Sequence, residues 1–146
     1  MNFKKVVFVN GNAVGDVILS TAVIKAFRKQ FPKSKITFLV REETAPIVRR
    51  LPFIDEVVCY EKGEPMLPVV RKLWRSSIAI CLDFKYRSAV VPFLAAIPIR
   101  AGMAHKRKLF LSHPVDRDKN EELIYEAENF AGIIERSIGI KLKGDL

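Results

Sequence analysis

The chain has 146 residues, with 25 Lys+Arg against 16 Asp+Glu, a formal net charge of +9 and a pI near 9.8. One domain of this length can bury a core without disulfides or a structural metal. With 49% hydrophobic and 28% charged residues, and a mean hydropathy of +0.11, it is not a disordered chain. The longest apolar run, residues 89–99, carries two prolines and is too short to span a bilayer. The positive balance points to an anionic partner, whether nucleic acid, an anionic membrane surface or a phosphorylated small molecule.

Residues 4–10 (KKVVFVN) form a short β-branched run ending in turn residues, which predicts a buried strand. Lys4 and Lys5 imitate the start of a signal peptide. The apolar run is broken by Asn10, Gly11 and Asn12 before any cleavage site, so a signal peptide is rejected. After GNAVGD, residues 17–31 place Leu19, Ala22, Val23, Ala26, Phe27 and Phe31 at helical spacing, and Pro32 stops the helix.

The alternation repeats along the chain. Strands are expected at 35–40, 56–60, 77–83 and 97–103. Helices are expected at 43–51, 66–75, 86–96 (kinked or delayed by Pro92) and 119–138. Residues 108–115 read as a short extended stretch, and Trp74 as helix-face or core packing. Continuously apolar strands indicate burial on both faces. The expected fold is therefore α/β: a Rossmann-like, doubly wound parallel sheet in three layers, strand order 3-2-1-4-5. Cys59 and Cys81 fall on non-neighbouring strands, which predicts two reduced thiols and a cytoplasmic protein.

In such a sheet ligands bind beyond the carboxyl ends of the strands at the switch point, here between the first and fourth strands. Residues 10–16 and 83–88 flank it. The first loop, N-G-N-A-V-G-D, is neither a Walker loop nor a dinucleotide fingerprint: Asp16 stands where a phosphate loop needs Lys, and the middle glycine is missing. It is suited to placing a carboxylate at the crevice mouth. Asp16 has two readings, an N-cap of the first helix or a general base flanked by the open Gly15.

These segments resemble the N-terminal domain of the ADP-heptose:lipopolysaccharide heptosyltransferases, the family-nine glycosyltransferases. The A-V-G-D-V-I-L-S-T-A-V-I-K-A-F stretch resembles the family's G-D-containing helix start, with Gly15, Asp16, Leu19, Ser20, Thr21 and Ala26 matching. F-P-K-S-K-I-T-F-L-V, L-P-F-I-D-E-V-V and I-R-A-G-M also follow the family in order. In I-A-I-C-L-D-F-K-Y-R-S-A, Asp83, Arg87, Ser88 and Ala89 match. The sequence departs from the pattern around Asn10, since many members carry Arg or Lys near it.

The resemblance implies half of a GT-B fold, inverting sugar transfer and no metal. It implies that Asp16 is the general base, deprotonating an acceptor hydroxyl. The donor, a nucleotide sugar such as ADP-heptose, is then a co-substrate rather than a cofactor, bound by a second domain. Residues 1–140 would be the acceptor domain and 141–146 the start of a linker, so that this chain alone is inactive. The acceptor would be a phosphorylated glycolipid, the lipopolysaccharide inner core. The place of action would be the cytoplasm, peripherally on the inner face of the cytoplasmic membrane.

The acceptor contacts expected are Asn12, Gly15, Ser20, Thr21, Lys85, Arg87, Ser88, Arg100 and Lys106. Each also has a plain structural reading: first-turn hydroxyls for Ser20 and Thr21, solvated loop charges for Lys85 and Arg87. The densest basic cluster, Arg100, His105, Lys106, Arg107 and Lys108, reads as attraction to a phosphorylated glycolipid or an anionic bilayer, or as a solvated loop. The competing function is a stand-alone, non-catalytic Rossmann-like module holding a phosphorylated ligand or a protein partner. Nucleic-acid binding is disfavoured, because the basic residues are scattered and no binding motif is present.

Overall fold

The computed structural model describes residues 3–61, 63–104, 107–115 and 126–142. Five strands alternate with helices as the apolar runs predict: β1 (Lys5–Val9), α1 (Val14–Gln30), β2 (Lys35–Val40), α2 (Ala45–Val48), β3 (Glu56–Cys59), α3 (Leu67–Leu73), β4 (Ile78–Cys81), α4 (Tyr86–Leu94) and β5 (Ile99–Met103). A 3-10 turn (Lys108–Phe110), β6 (His113–Val115) and α5 (Glu126–Ile138) follow. The sheet is parallel throughout, in the order β3-β2-β1-β4-β5-β6. The expected order 3-2-1-4-5 holds. The stretch expected to be extended over 108–115 divides into the 3-10 turn and an edge strand paired to β5.

Alternation within each strand sorts side chains into two cores. Val6, Phe8, Ile36, Phe38, Ile78 and Ile80 pack with Val23, Ile24 and Phe27 of α1 and Ile133 and Ile134 of α5. Val7, Val9, Leu39, Ala79 and Cys81 pack on the other face with Val69, Val70 and Leu73 of α3 and Ala89 and Val91 of α4. Nearly every residue of β1, β2 and β4 is buried, the reason these segments read as continuous apolar runs. An aromatic stack of Phe3, Phe8, Phe27 and Phe31 closes the lower end of the first core, with Phe8 and Phe27 edge to face at 5.4 Å.

Helix lengths differ from expectation for local reasons. The helix expected at 43–51 is one turn, because only Ala45 and Val48 find buried space. Pro92 sits inside α4 and denies the Ser88 carbonyl its helical donor. The Cys81 thiol donates to that carbonyl instead, at 3.2 Å. Burial pushes the Cys81 thiol up to about 12. Cys59 and Cys81 are both free thiols, separated by β2 and β1 in the sheet. Trp74 does not pack as expected. It caps the C-terminus of α3 and is 53% exposed. Of the last expected helix, residues 119–125 lie outside the described residues.

Candidate functional site

The carboxyl ends of β1 and β4 lie side by side, Val9 opposite Cys81, and the chain departs there to α1 and α4 on opposite faces. Asn10 continues the ladder by donating its backbone N–H to Leu39 O at 3.0 Å. Its side chain is fully buried and turns the loop: Oδ1 accepts from the Asn12 amide at 3.1 Å, an Asx turn. The Asn10 Nδ2 donates to Asp16 Oδ2 at 3.2 Å, and the Asn12 Nδ2 to the same oxygen at 2.8 Å.

This corrects the cap reading of Asp16. The N-cap of α1 is Ala13, with no side-chain cap bond, and Asp16 lies within the first helical turn. Its carboxylate is half-buried and held by two side-chain amides. No hydrogen bond reaches Oδ1 among the described residues. A Cβ placed on Gly15 would meet nothing within 4 Å, so the surface beside Asp16 is open.

A second carboxylate has the opposite surroundings. Asp83, at the end of β4, is fully buried. Its Oδ2 accepts from the Gly11 N–H at 2.6 Å and the Ser88 hydroxyl at 2.8 Å, and its Oδ1 accepts from the Lys85 N–H at 3.1 Å. The Arg107 guanidinium, 1% exposed, stands 3.8 Å from Oδ1. Burial raises the Asp83 carboxyl above the usual range, although the Gly11, Ser88 and Lys85 donors and the Arg107 charge oppose that shift. Arg107 also donates to Met103 O through Nε and Nη2, and to Lys85 O at 2.9 Å through Nη1. One buried ion pair thus ties together the ends of β1, β4 and β5. A side chain at position 11 would crowd this contact: its Cβ would stand 3.3 Å from Asp83 Oδ2 and 3.3 Å from Lys85 Cδ.

Because Asp83 stitches the two crevice loops together, the depression opens to one side of the switch point. Val9, Gly11, Leu39, Val40, Tyr60, Arg87 and Ser88 line it. The Arg87 guanidinium lies over the Tyr60 ring, 5.5 Å from its centroid. Beside it, the Glu42 amide and the Arg41 guanidinium hold the Glu61 carboxyl below its ordinary range, against partial desolvation. Asp16 is not among the lining residues. It stands at the top of the α1 layer, joined to the depression by the 10–13 loop.

The structure gathers Asn12, Gly15 and Asp16 on one loop and helix start, with Lys85 leaning over Gly11 and Arg87 on the depression wall. Thr21 is half-buried and donates to Ile18 O. Three residues are withdrawn from the expected role. Ser20 is fully buried and bonded to Val17 O, and Ser88 is buried with its hydroxyl on Asp83. Arg100 starts β5, away from the crevice, and bonds to Phe110 O and Ile97 O. Arg107 is likewise no surface charge. Lys106 and His105 lie outside the described residues. Sequence reasoning missed Tyr60, gave Asn10 and Asp83 no role in the site, and placed the buried Arg107 in a surface cluster. The N-x-N turn pattern before Asp16 was the available signal for Asn10.

Comparison with known proteins bears on the fold and the family resemblance. No family model matches. The chain is 24% identical over 144 residues to lipopolysaccharide heptosyltransferase 2 of Escherichia coli K12, covering 93% of this chain and 39% of that protein. It is 23% identical over 124 residues to lipooligosaccharide heptosyltransferase 2 of Haemophilus ducreyi, covering 80% and 36%. Among solved structures, a glycosyl transferase family 9 protein from Veillonella parvula superposes with a TM-score of 0.82 at 23% identity, over 95% of this chain and 42% of that one. The E. coli ADP-heptose lps heptosyltransferase II gives 0.70 at 26% identity, over 80% and 36%. The chain thus resembles the heptosyltransferases, as the motifs around Asp16 and Arg87 imply, and spans less than half of each of these relatives.

Proposed function

We propose that this chain is the acceptor-binding, N-terminal half of an inverting glycosyltransferase of heptosyltransferase type. Residues 1–140 form the acceptor domain, and residues 141–146 begin a linker to a domain that binds a nucleotide sugar such as ADP-heptose. Asp16 is the general base. Its Oδ1 takes the proton of an acceptor hydroxyl. The hydroxyl oxygen then bonds to the anomeric carbon from the face opposite the diphosphate. The carbon–oxygen bond to the diphosphate breaks, and the nucleotide leaves with that electron pair. The observation that carries this reading is the anchoring of Asp16 by Asn10 and Asn12 through Oδ2 alone, beside the uncovered Gly15.

The acceptor is a phosphorylated glycolipid of the lipopolysaccharide inner core, met at the cytoplasmic face of the membrane. Lys85 and Arg87 supply cationic contacts for it. Asn12, Gly15 and Thr21 line its approach to Asp16. In the longer protein carrying this domain, Asp16→Ala lowers sugar transfer by roughly 100- to 10,000-fold, the usual span for a lost general base. The fold is preserved, because Asp16 is half-exposed. Turnover within about threefold of wild type would overturn the assignment.

A further inference from the structure

Asn10 is a polar residue with no exposed surface, placed where β1 leaves the core. A buried carboxamide is costly unless each end finds a partner. Its backbone N–H belongs to the sheet, donating to Leu39 O, so the side chain starts from a fixed point. Oδ1 accepts the Asn12 N–H at 3.1 Å, and that bond decides which end of the amide faces Asp16. Nδ2 is the end that meets Asp16 Oδ2, at 3.2 Å.

The second anchor depends on the first. Asn12 Nδ2 makes the shorter bond to Oδ2, 2.8 Å, but Asn12 is only half-buried and its own N–H is held by Asn10. Both bonds to the Asp16 carboxylate therefore trace back to one buried side chain. The terminal torsion of an aspartate is broad, so an unanchored carboxylate samples many orientations. Two donors converging on Oδ2 restrict that rotation. The charged side chains packed around the 10–12 turn are Asp83, which accepts the Gly11 N–H, and Lys85, whose stem lies beside Gly11. Among the described residues, the hydrogen bonds to Asp16 come from Asn10 and Asn12 and from neither of these.

We infer that Asn10 is a positioning residue for the proposed sugar transfer: its buried amide holds Asp16 by Oδ2 and sets Oδ1 toward the acceptor hydroxyl. This rests on the reading of Asp16 as the base and adds the group through which the loop controls it. Asn10, fully buried, does not itself meet the acceptor. Its donor role is separable from its turn role, because Asp forms the same Asx turn but an ionised carboxylate cannot donate.

The test is sugar transfer by the longer protein carrying this domain, measured against pH for Asn10→Asp and Asn10→Ser. Asn10→Asp keeps an oxygen for the Asn12 N–H and puts a second carboxylate against Asp16 Oδ2. Two carboxylates so close share a proton, so the acid limb of the kcat profile moves up by about one pH unit or more. Asn10→Ser keeps an oxygen that can accept the Asn12 N–H, is too short to reach Asp16, and adds no charge. Its kcat falls by about tenfold to 100-fold, its KM stays within about threefold, and its acid limb stays in place. A residue serving only the turn gives another pattern, in which Asn10→Asp keeps the wild-type profile. Circular dichroism and thermal melting check folding. Should the buried charge of Asn10→Asp prevent folding, the split between kcat and KM in Asn10→Ser decides alone.

Three outcomes overturn the inference: a folded Asn10→Asp with an unmoved acid limb, an Asn10→Ser kcat within about threefold of wild type, or a loss in Asn10→Ser carried by KM. Near-wild-type turnover in Asp16→Ala sinks the base itself. An inactive Asp16→Ala beside two unaffected Asn10 variants leaves the base standing and removes only the positioning role.

Discussion

Arg107→Met is the sharpest probe of how the crevice is held open. The substitution keeps a long apolar side chain and removes the guanidinium. Asp83 is left as a buried carboxylate without its cation, and the Met103 and Lys85 carbonyls lose their donors. Breaking a buried ion pair costs about 3–5 kcal/mol. The 3.8 Å separation, and the three hydrogen bonds Asp83 retains, place the effect near the low end, at about 3 kcal/mol. For a domain of this size that lowers Tm by roughly 10 °C.

The pH dependence has a definite sign. Burial holds the folded Asp83 carboxyl above its unfolded value. Its favourable contribution is therefore full below the unfolded pKa and is lost as pH rises through the folded one. Removing Arg107 raises the folded value further, so the variant's deficit grows with pH. Urea unfolding should show the deficit shrinking as pH falls through the folded value of the Asp83 carboxyl. In Asp83→Asn/Arg107→Met the two losses should fall short of additivity by about 1 kcal/mol or more. A deficit under about 1 kcal/mol, or one flat with pH, would refute the buried-pair account.

Gly15→Ala should separate stability from activity. The added methyl meets nothing within 4 Å and replaces a helical glycine, so the fold gains about 0.5–1 kcal/mol. Transfer by the longer protein should nevertheless fall, because the methyl stands where the acceptor approaches Asp16; unchanged turnover would show that the acceptor comes from elsewhere. A thiol reagent at mildly alkaline pH should label Cys59 in the native chain and spare Cys81, whose thiol is buried and pushed up to about 12. Both should react in denaturant, and native labelling of Cys81 at a comparable rate would contradict its packing.

The central strands were legible because β1, β2 and β4 are buried on both faces. Residues 6–9, 36–40 and 78–81 admit almost nothing but apolar side chains, and such runs announce a parallel sheet. Helix ends were less legible. The short α2 looked longer because Arg49 and Arg50 fit a helical period without finding a buried face. Arg107 was illegible for a different reason. His105, Lys106 and Lys108 surround it in sequence, and nothing local distinguishes the one whose partner, Asp83, lies on another strand. Trp74 failed in the other direction. Helical spacing gave it a face, but α3 ends at Leu73 and turns it outward.

At the crevice, two carboxylates a short distance along neighbouring loops are given different tasks by their surroundings, a pattern that assigns roles in many acid–base sites. Asp83 has both oxygens occupied by hydrogen bonds and is closed off from solvent, so it cannot reach a substrate. Its effect is geometric: through Gly11 it fixes the start of the loop that bears Asp16. Among the described residues, Asp16 has one oxygen anchored and one without a hydrogen bond, and an open glycine lies beside it. Asn10 links the two, since its backbone extends the sheet while its side chain holds Asp16.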